Sequence, residues 1–184
     1  MASIQSENFN LIYHQLRSDN PGVSDELIIE LFNHLADRII LDFNPTSVLD
    51  ANCGRGYLVR ALRMRGVEAW GVDTSKELIQ DGLVETQPFC QRRSISQPFP
   101  QPHYDLIICI ECLEKITPEN AIQVAKNLSL YCENILISCS PYYFSKSSRE
   151  NPQPPEFWVA LLNQFGFIHN INRDISYVAP WAMH

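Results

Sequence analysis

A chain of 184 residues with 45% hydrophobic and 19% charged side chains has the length and balance of one globular domain, not of a fibre or a disordered tail. Its net charge of −7, with no basic run longer than Arg92-Arg93, argues against a nucleic-acid partner. The cysteines at 53, 90, 109, 112, 132 and 139 fall mostly inside apolar patterns and read as reduced thiols, and Cys109-x-x-Cys112 lacks the second pair that a metal site needs, so no metal is expected.

The first residues, MASIQSENFN, carry neither a basic n-region nor an apolar h-region, and no apolar run reaches membrane-spanning length, so a cytoplasmic location is expected. Residues 1–23 scatter Phe9 and Tyr13 among polar side chains and serve as a lead-in or as a lid over the site that follows. From residue 24 to residue 184 the pattern is that of a single domain. Ser24 is a natural N-cap for a helix whose Leu27, Ile28, Leu31, Phe32, Leu35 and Ile39 share one face.

Residues 47–75 then read as strand, glycine turn, helix and second strand. Val48 and Leu49 lead to Asp50; Asn52, Gly54 and Gly56 make the turn; Leu58 to Met64 have helical spacing; and Glu68 to Val72 end at Asp73. The first βα turn of an open parallel sheet offers backbone N–H groups to a nucleotide-like ligand. An acid closing the next strand is placed to accept from both ribose hydroxyls. Ser75 caps a further helix running toward Leu83. Residues 86–103 hold four prolines and leave room only for a short strand near Phe89 to Arg92.

Residues 104–110 are nearly all apolar, as in a strand buried on both faces. Thr117 and Pro118 read as N-cap and first helical residue of the next helix. A strand over 134–139, a polar proline-rich loop over 141–155, a helix from Pro155 to Phe165 and two short strands complete the chain. Strands alternating with helices predict an α/β fold: a doubly wound, mostly parallel sheet with helices on both faces.

The glycine spacing selects among nucleoside cofactors. A nicotinamide dinucleotide fingerprint, G-x-G-x-x-G, would need a third glycine where Val59 stands. Asp50-x-Asn52-x-Gly54-x-Gly56 instead fits D-x-G-x-G-x-G with Asn in the first glycine slot, a mild departure because Asn is the non-glycine residue that best tolerates positive φ. Here the chain resembles the class I S-adenosylmethionine-dependent methyltransferases. Tyr104 to Glu114 is similar to that family's fourth strand and the segment after it, and Asn134 to Ser138 to its fifth strand. The tail from Pro154-Pro155-Glu156-Phe157-Trp158 to Trp181-Ala182 is similar to small methyltransferases associated with glycan and polysaccharide biosynthesis.

The resemblance implies a Rossmann-like sheet of seven strands, the last inserted antiparallel, with S-adenosyl-L-methionine as cofactor and S-adenosyl-L-homocysteine as product. It implies cofactor binding by Asp50, Asn52, Cys53, Gly54, Gly56, Asp73, Thr74, Ser94, Ile95 and Glu111. The expected acceptor is a small-molecule or glycan-linked hydroxyl, and the setting suggests fusion to, or a complex with, other biosynthetic enzymes. The chain stops at His184 within the final strand region, as a domain of a longer polypeptide would.

A hydroxyl acceptor needs a positioned base. Many similar methyltransferases carry E-x-L-E-H after the fourth strand, and the histidine position here is Lys115, which as an ammonium cannot accept a proton. A second histidine, shortly before the Q-P-P-E run, is also absent; Arg149 and Glu150 stand near there. The catalytic candidates are therefore Glu111, Lys115 and His14, with Tyr142 and Tyr143 as substrate contacts. The alternative is a non-catalytic methyltransferase-like module that binds the cofactor or serves interaction.

Overall fold

The computed structural model describes residues 24–138, 153–175 and 177–178. The lead-in with His14, Tyr142 and Tyr143, and Arg149 and Glu150 lie outside the described residues.

Helix α1 (Asp25–Phe43) begins where Ser24 Oγ accepts from Leu27 N at 3.4 Å and ends at Asn44, whose φ of 45° suits a residue that tolerates left-handed backbone. Strand β1 (Ser47–Asp50) leads through the glycine turn into α2 (Tyr57–Arg63), and β2 (Glu68–Asp73) follows. Ser75 Oγ caps α3 (Lys76–Gln80) by accepting from Leu78 N at 3.1 Å. This helix stops short of Leu83: Gly82 turns against Arg55, and a 3-10 helix (Val84–Phe89) carries the chain into β3 (Cys90–Arg92). Strand β4 (Leu106–Ile110), a 3-10 turn (Leu113–Lys115), α4 (Pro118–Tyr131), β5 (Ile135–Ser138) and α5 (Pro155–Asn163) complete the elements.

Thr117 and Pro118 take the N-cap and first helical positions of α4 as the sequence predicts, and Thr117 Oγ1 accepts from Asn120 Nδ2 at 3.0 Å. Residues 167–175 and 177–178 form turns and irregular backbone, and the remainder of the segment expected to carry the two late strands lies outside the described residues.

Among the described residues all four strand pairings are parallel, in the order β3-β2-β1-β4-β5. Side chains alternate across the sheet. Val48, Ala69, Leu106, Ile108 and Leu136 pack toward α1 and α2, while Leu49, Ile107 and Cys109 pack toward α4 and α5. Helices thus cover both faces, the doubly wound arrangement that the alternation of elements predicts. At the amino end of the sheet Asp105 Oδ2 accepts from Thr46 N, Thr46 Oγ1 and Ser47 N at 2.7, 2.6 and 3.0 Å. These bonds, Thr46 foremost, hold its carboxyl below the usual range. Chain order reverses between β1 and β4, so the segments that leave their carboxyl ends run to opposite faces of the sheet and open a crevice. Among the described residues no helix is long and apolar enough to cross a membrane.

Candidate functional site

The crevice is assembled from three strand ends. After β1 the chain turns twice in the left-handed region, at Gly54 (φ 52°) and Gly56 (φ 84°). The two glycines answer different demands. A Cβ on Gly54 would meet nothing within 4 Å, so that position needs glycine for its backbone alone. A Cβ on Gly56 would lie 2.5 Å from Thr86 Oγ1 and 3.2 Å from Cys90 Sγ, so there both backbone and space require it.

Asp73 closes β2 and organises the turn. Its Oδ2 accepts from Gly54 N and its Oδ1 from Ser75 N, each at 2.9 Å. A carboxylate has about four acceptor positions, so it can still receive hydroxyls from a ligand. Asp50, closing β1, accepts from Asn52 N at 3.3 Å. Burial raises its carboxyl to about 7 against the pull of that amide, with the charge of Asp73 adding to the rise.

Asn52 departs from expectation. It is not in the left-handed region, where Asn44 and Glu111 are the non-glycine residues among those described. Its slot therefore does not need glycine for φ. What a side chain does there is enter the crevice: Asn52 Nδ2 donates to the carbonyl of Ile110 at 3.3 Å, and Asn52 Oδ1 accepts from Lys115 Nζ at 2.9 Å. The amide bridges the ends of β1 and β4. Glu111, buried and at φ 49°, turns the chain sharply off β4, a strained conformation of the kind that gathers at functional sites.

A cleft of about 160 Å³ opens at this point. The structure brings Asn52, Asp73, Thr74, Ser94, Ile95 and Lys115 together on its wall. Asp50, Cys53, Gly54, Gly56 and Glu111 lie beside it without lining it. The Cys53 side chain turns away, and a Cβ added at Gly71 would fall 2.7 Å from its Sγ. Gly71 is a residue that the sequence reading passed over; a glycine inside a strand pattern is the signal of such a close approach. Cys112, Thr117 and Val124 also line the cleft and were missed. Nothing in their local spacing marks them, since the β4–α4 connection delivers Cys112 and Thr117 and α4 itself delivers Val124.

A larger cleft, about 580 Å³, lies on the opposite flank between β5, α5 and residues 166–175. It is lined largely by Ile135, Ile137, Val159, Phe167 and Ile175 and touches no residue of the glycine turn. Size does not locate the chemistry here. His169 lines that cleft, His34 is exposed on α1, and His103 sits beside Asp105 at the amino end of the sheet.

Residues 21–141 match the family described as methyltransferase domain, which spans well over half of the chain. The chain belongs to that family. A ubiquinone biosynthesis O-methyltransferase from Alkalilimnicola ehrlichii is 29% identical over 89 residues, covering 44% of this chain and 36% of that protein. The chain thus matches little more than a third of that curated relative's length. Among solved structures, a SAM-dependent methyltransferase from Archaeoglobus fulgidus superposes with a TM-score of 0.66 at 20% identity, over 85% of this chain and 74% of its own. The magnesium protoporphyrin IX methyltransferase of Synechocystis PCC 6803 with bound SAH gives 0.63 at 17% identity, over 88% and 87%. These structures share the fold, a Rossmann-like class I methyltransferase sheet. S-adenosylmethionine is the cofactor that goes with such a domain. The donor set suits it: acceptors for hydroxyls at Asp73, apolar wall at Ile95 and Val124, and a turn whose backbone a Cβ at Gly56 would disrupt.

Proposed function

We propose that this protein transfers the methyl group of S-adenosylmethionine to an oxygen atom of a small-molecule or glycan-linked hydroxyl. The observation that carries the cofactor half of this reading is Asp73, which closes β2 on the cleft while holding the glycine turn through Gly54 N at 2.9 Å. In this reading Asp73 accepts both ribose hydroxyls, Ser94 and Ile95 face the adenine, and Thr74 borders the ribose. Asn52, Cys53, Gly54 and Gly56 pass under the amino-acid end, Cys53 by its backbone alone. Asp50 and Glu111 flank that end. The oxygen acceptor is supported by the O-methyltransferase named above, and the glycan setting by the similarity of the tail from Pro154 to Trp158.

The cofactor supplies an activated methyl carbon, so the chain must align the acceptor, exclude water and take a proton. Lys115 already donates to Asn52 and is poorly suited to accept that proton. Glu111 at the end of β4 is the better of the two candidates among the described residues, and His14, outside them, is the third.

Calorimetric titration with S-adenosylmethionine, S-adenosylhomocysteine and NAD tests the reading. Both sulfur ligands should bind and NAD should not. Asp73→Asn should weaken S-adenosylhomocysteine at least about tenfold, the loss of charge-assisted hydrogen bonds to the ribose. Because the same carboxylate holds two backbone amides, the free protein should also lose on the order of 1–2 kcal/mol of stability, and titrations belong well below its melting temperature. Unchanged affinity would remove Asp73 from the site. Tight cofactor binding with no methyl transfer to a broad hydroxyl panel would identify a cofactor-binding module instead.

A further inference from the structure

We infer that Lys115, positioned by Asn52, recognises the α-carboxylate of the cofactor's amino-acid end; this rests on the cofactor reading above. Lys115 closes the 3-10 turn after β4, and its side chain runs back over the crevice to place Nζ 2.9 Å from Asn52 Oδ1. The amide that receives it is itself fixed, because Asn52 Nδ2 donates to Ile110 O at 3.3 Å. The ammonium is therefore held at a defined point between the ends of β1 and β4.

A neutral amide satisfies one of the ammonium's donors and none of its charge. Among the described residues the ion pairs are Arg60 with Glu85 and Arg65 with Asp37, and Lys115 takes part in neither. The other basic side chain on the cleft, Arg93, is directed to the carbonyl of Pro98 and to Gln91 Oε1. The cleft is thus polarised. A carboxylate that can accept hydroxyls stands on its β2 side, and a cation lacking a directly paired anion stands on its β4 side. A nucleoside that carries an amino acid has the matching polarity, hydroxyls at one end and a carboxylate at the other. A nucleoside without the amino acid would leave the Lys115 charge unanswered.

The probes are S-adenosylhomocysteine and 5′-methylthioadenosine, which shares the nucleoside and thioether but has no amino acid. Both are titrated calorimetrically into the intact wild-type chain and into Lys115→Met and Lys115→Arg. Lys115→Met should weaken S-adenosylhomocysteine about tenfold and leave 5′-methylthioadenosine unchanged, and Lys115→Arg should recover most of the loss. Equal weakening of both probes would show a structural role and overturn the assignment. Unchanged S-adenosylhomocysteine affinity in Lys115→Met would also overturn it and direct the cation to the acceptor. Wild-type protein that binds neither probe would overturn the cofactor reading itself, a result distinct from either.

Discussion

On the β2 side of the crevice the polar atoms are held by backbone: Asp73 takes the amides of Gly54 and Ser75, and Gly56 and Gly71 let the turn pack against Thr86, Cys53 and Cys90. On the β4 side the holding is done by side chains, Lys115 to Asn52 and Asn52 to the Ile110 carbonyl. Backbone-held geometry is inseparable from the fold, because altering it disturbs the turn itself. Side-chain-held geometry can be changed one residue at a time without refolding the chain. Substitutions on the β2 side should therefore cost stability and binding together, whereas those on the β4 side should move binding with little loss of stability.

The largest effect belongs to Gly56. Gly56→Val forces a β-branched residue to φ 84° and drives its Cβ into Thr86 Oγ1, 2.5 Å away. Left-handed strain of about 1–2 kcal/mol and overpacking of about 1–3 kcal/mol put the loss at roughly 2–5 kcal/mol. Gly54→Ala, with open space around its Cβ, should cost only about 1–2 kcal/mol. Urea unfolding of the two variants measures the difference. Equal losses would mean that Thr86 and Cys90 yield, and that the turn is not held by packing.

Asp50 sits on the seam between the two sides and tests what burial costs. Its carboxyl is raised from 3.8 to about 7 by desolvation. Between those values the folded protein keeps a proton that the unfolded chain has released, so stability falls as pH rises from about 4 to 7 and levels off above. At about 1.4 kcal/mol per unit, the cost at pH 8 is on the order of 4–5 kcal/mol. Asp50→Asn should flatten that slope and raise the melting temperature at pH 8 more than at pH 4. A variant no more stable than wild type at pH 8 would show that Asp50 is charged in the fold at no cost.

Much of this was legible in the chain. The bounds of β2 follow from apolar residues between a glycine turn and an acid, and β4 from an unbroken apolar run. The helix after Ser75 is shorter than its spacing suggests because Gly82 packs against the Arg55 carbonyl, a contact with the turn that local periodicity does not encode. The β2 side of the site was readable because its residues fall within one strand-turn-helix-strand unit. The β4 side was not. Asn52 and Lys115 meet across 63 residues, and a motif records that glycine is usual in the Asn52 slot without saying whether φ or space is the reason.

That distinction makes Asn52→Gly the subtlest test, and the one that bears most directly on the comparison. The substitution removes the amide that holds Lys115 but leaves the ammonium in place and imposes no φ penalty, since Asn52 does not occupy the left-handed region. Added backbone freedom should lower stability by no more than about 0.5–1 kcal/mol. Affinity for S-adenosylhomocysteine should fall by about two- to fivefold, the scale of one lost neutral hydrogen bond, while 5′-methylthioadenosine binding stays level. The effect should be smaller than that of Lys115→Met, because an unpositioned cation still attracts the carboxylate. If S-adenosylhomocysteine instead binds more tightly to Asn52→Gly, the amide bridge obstructs the crevice, and the β4 side is a latch that the cofactor must open.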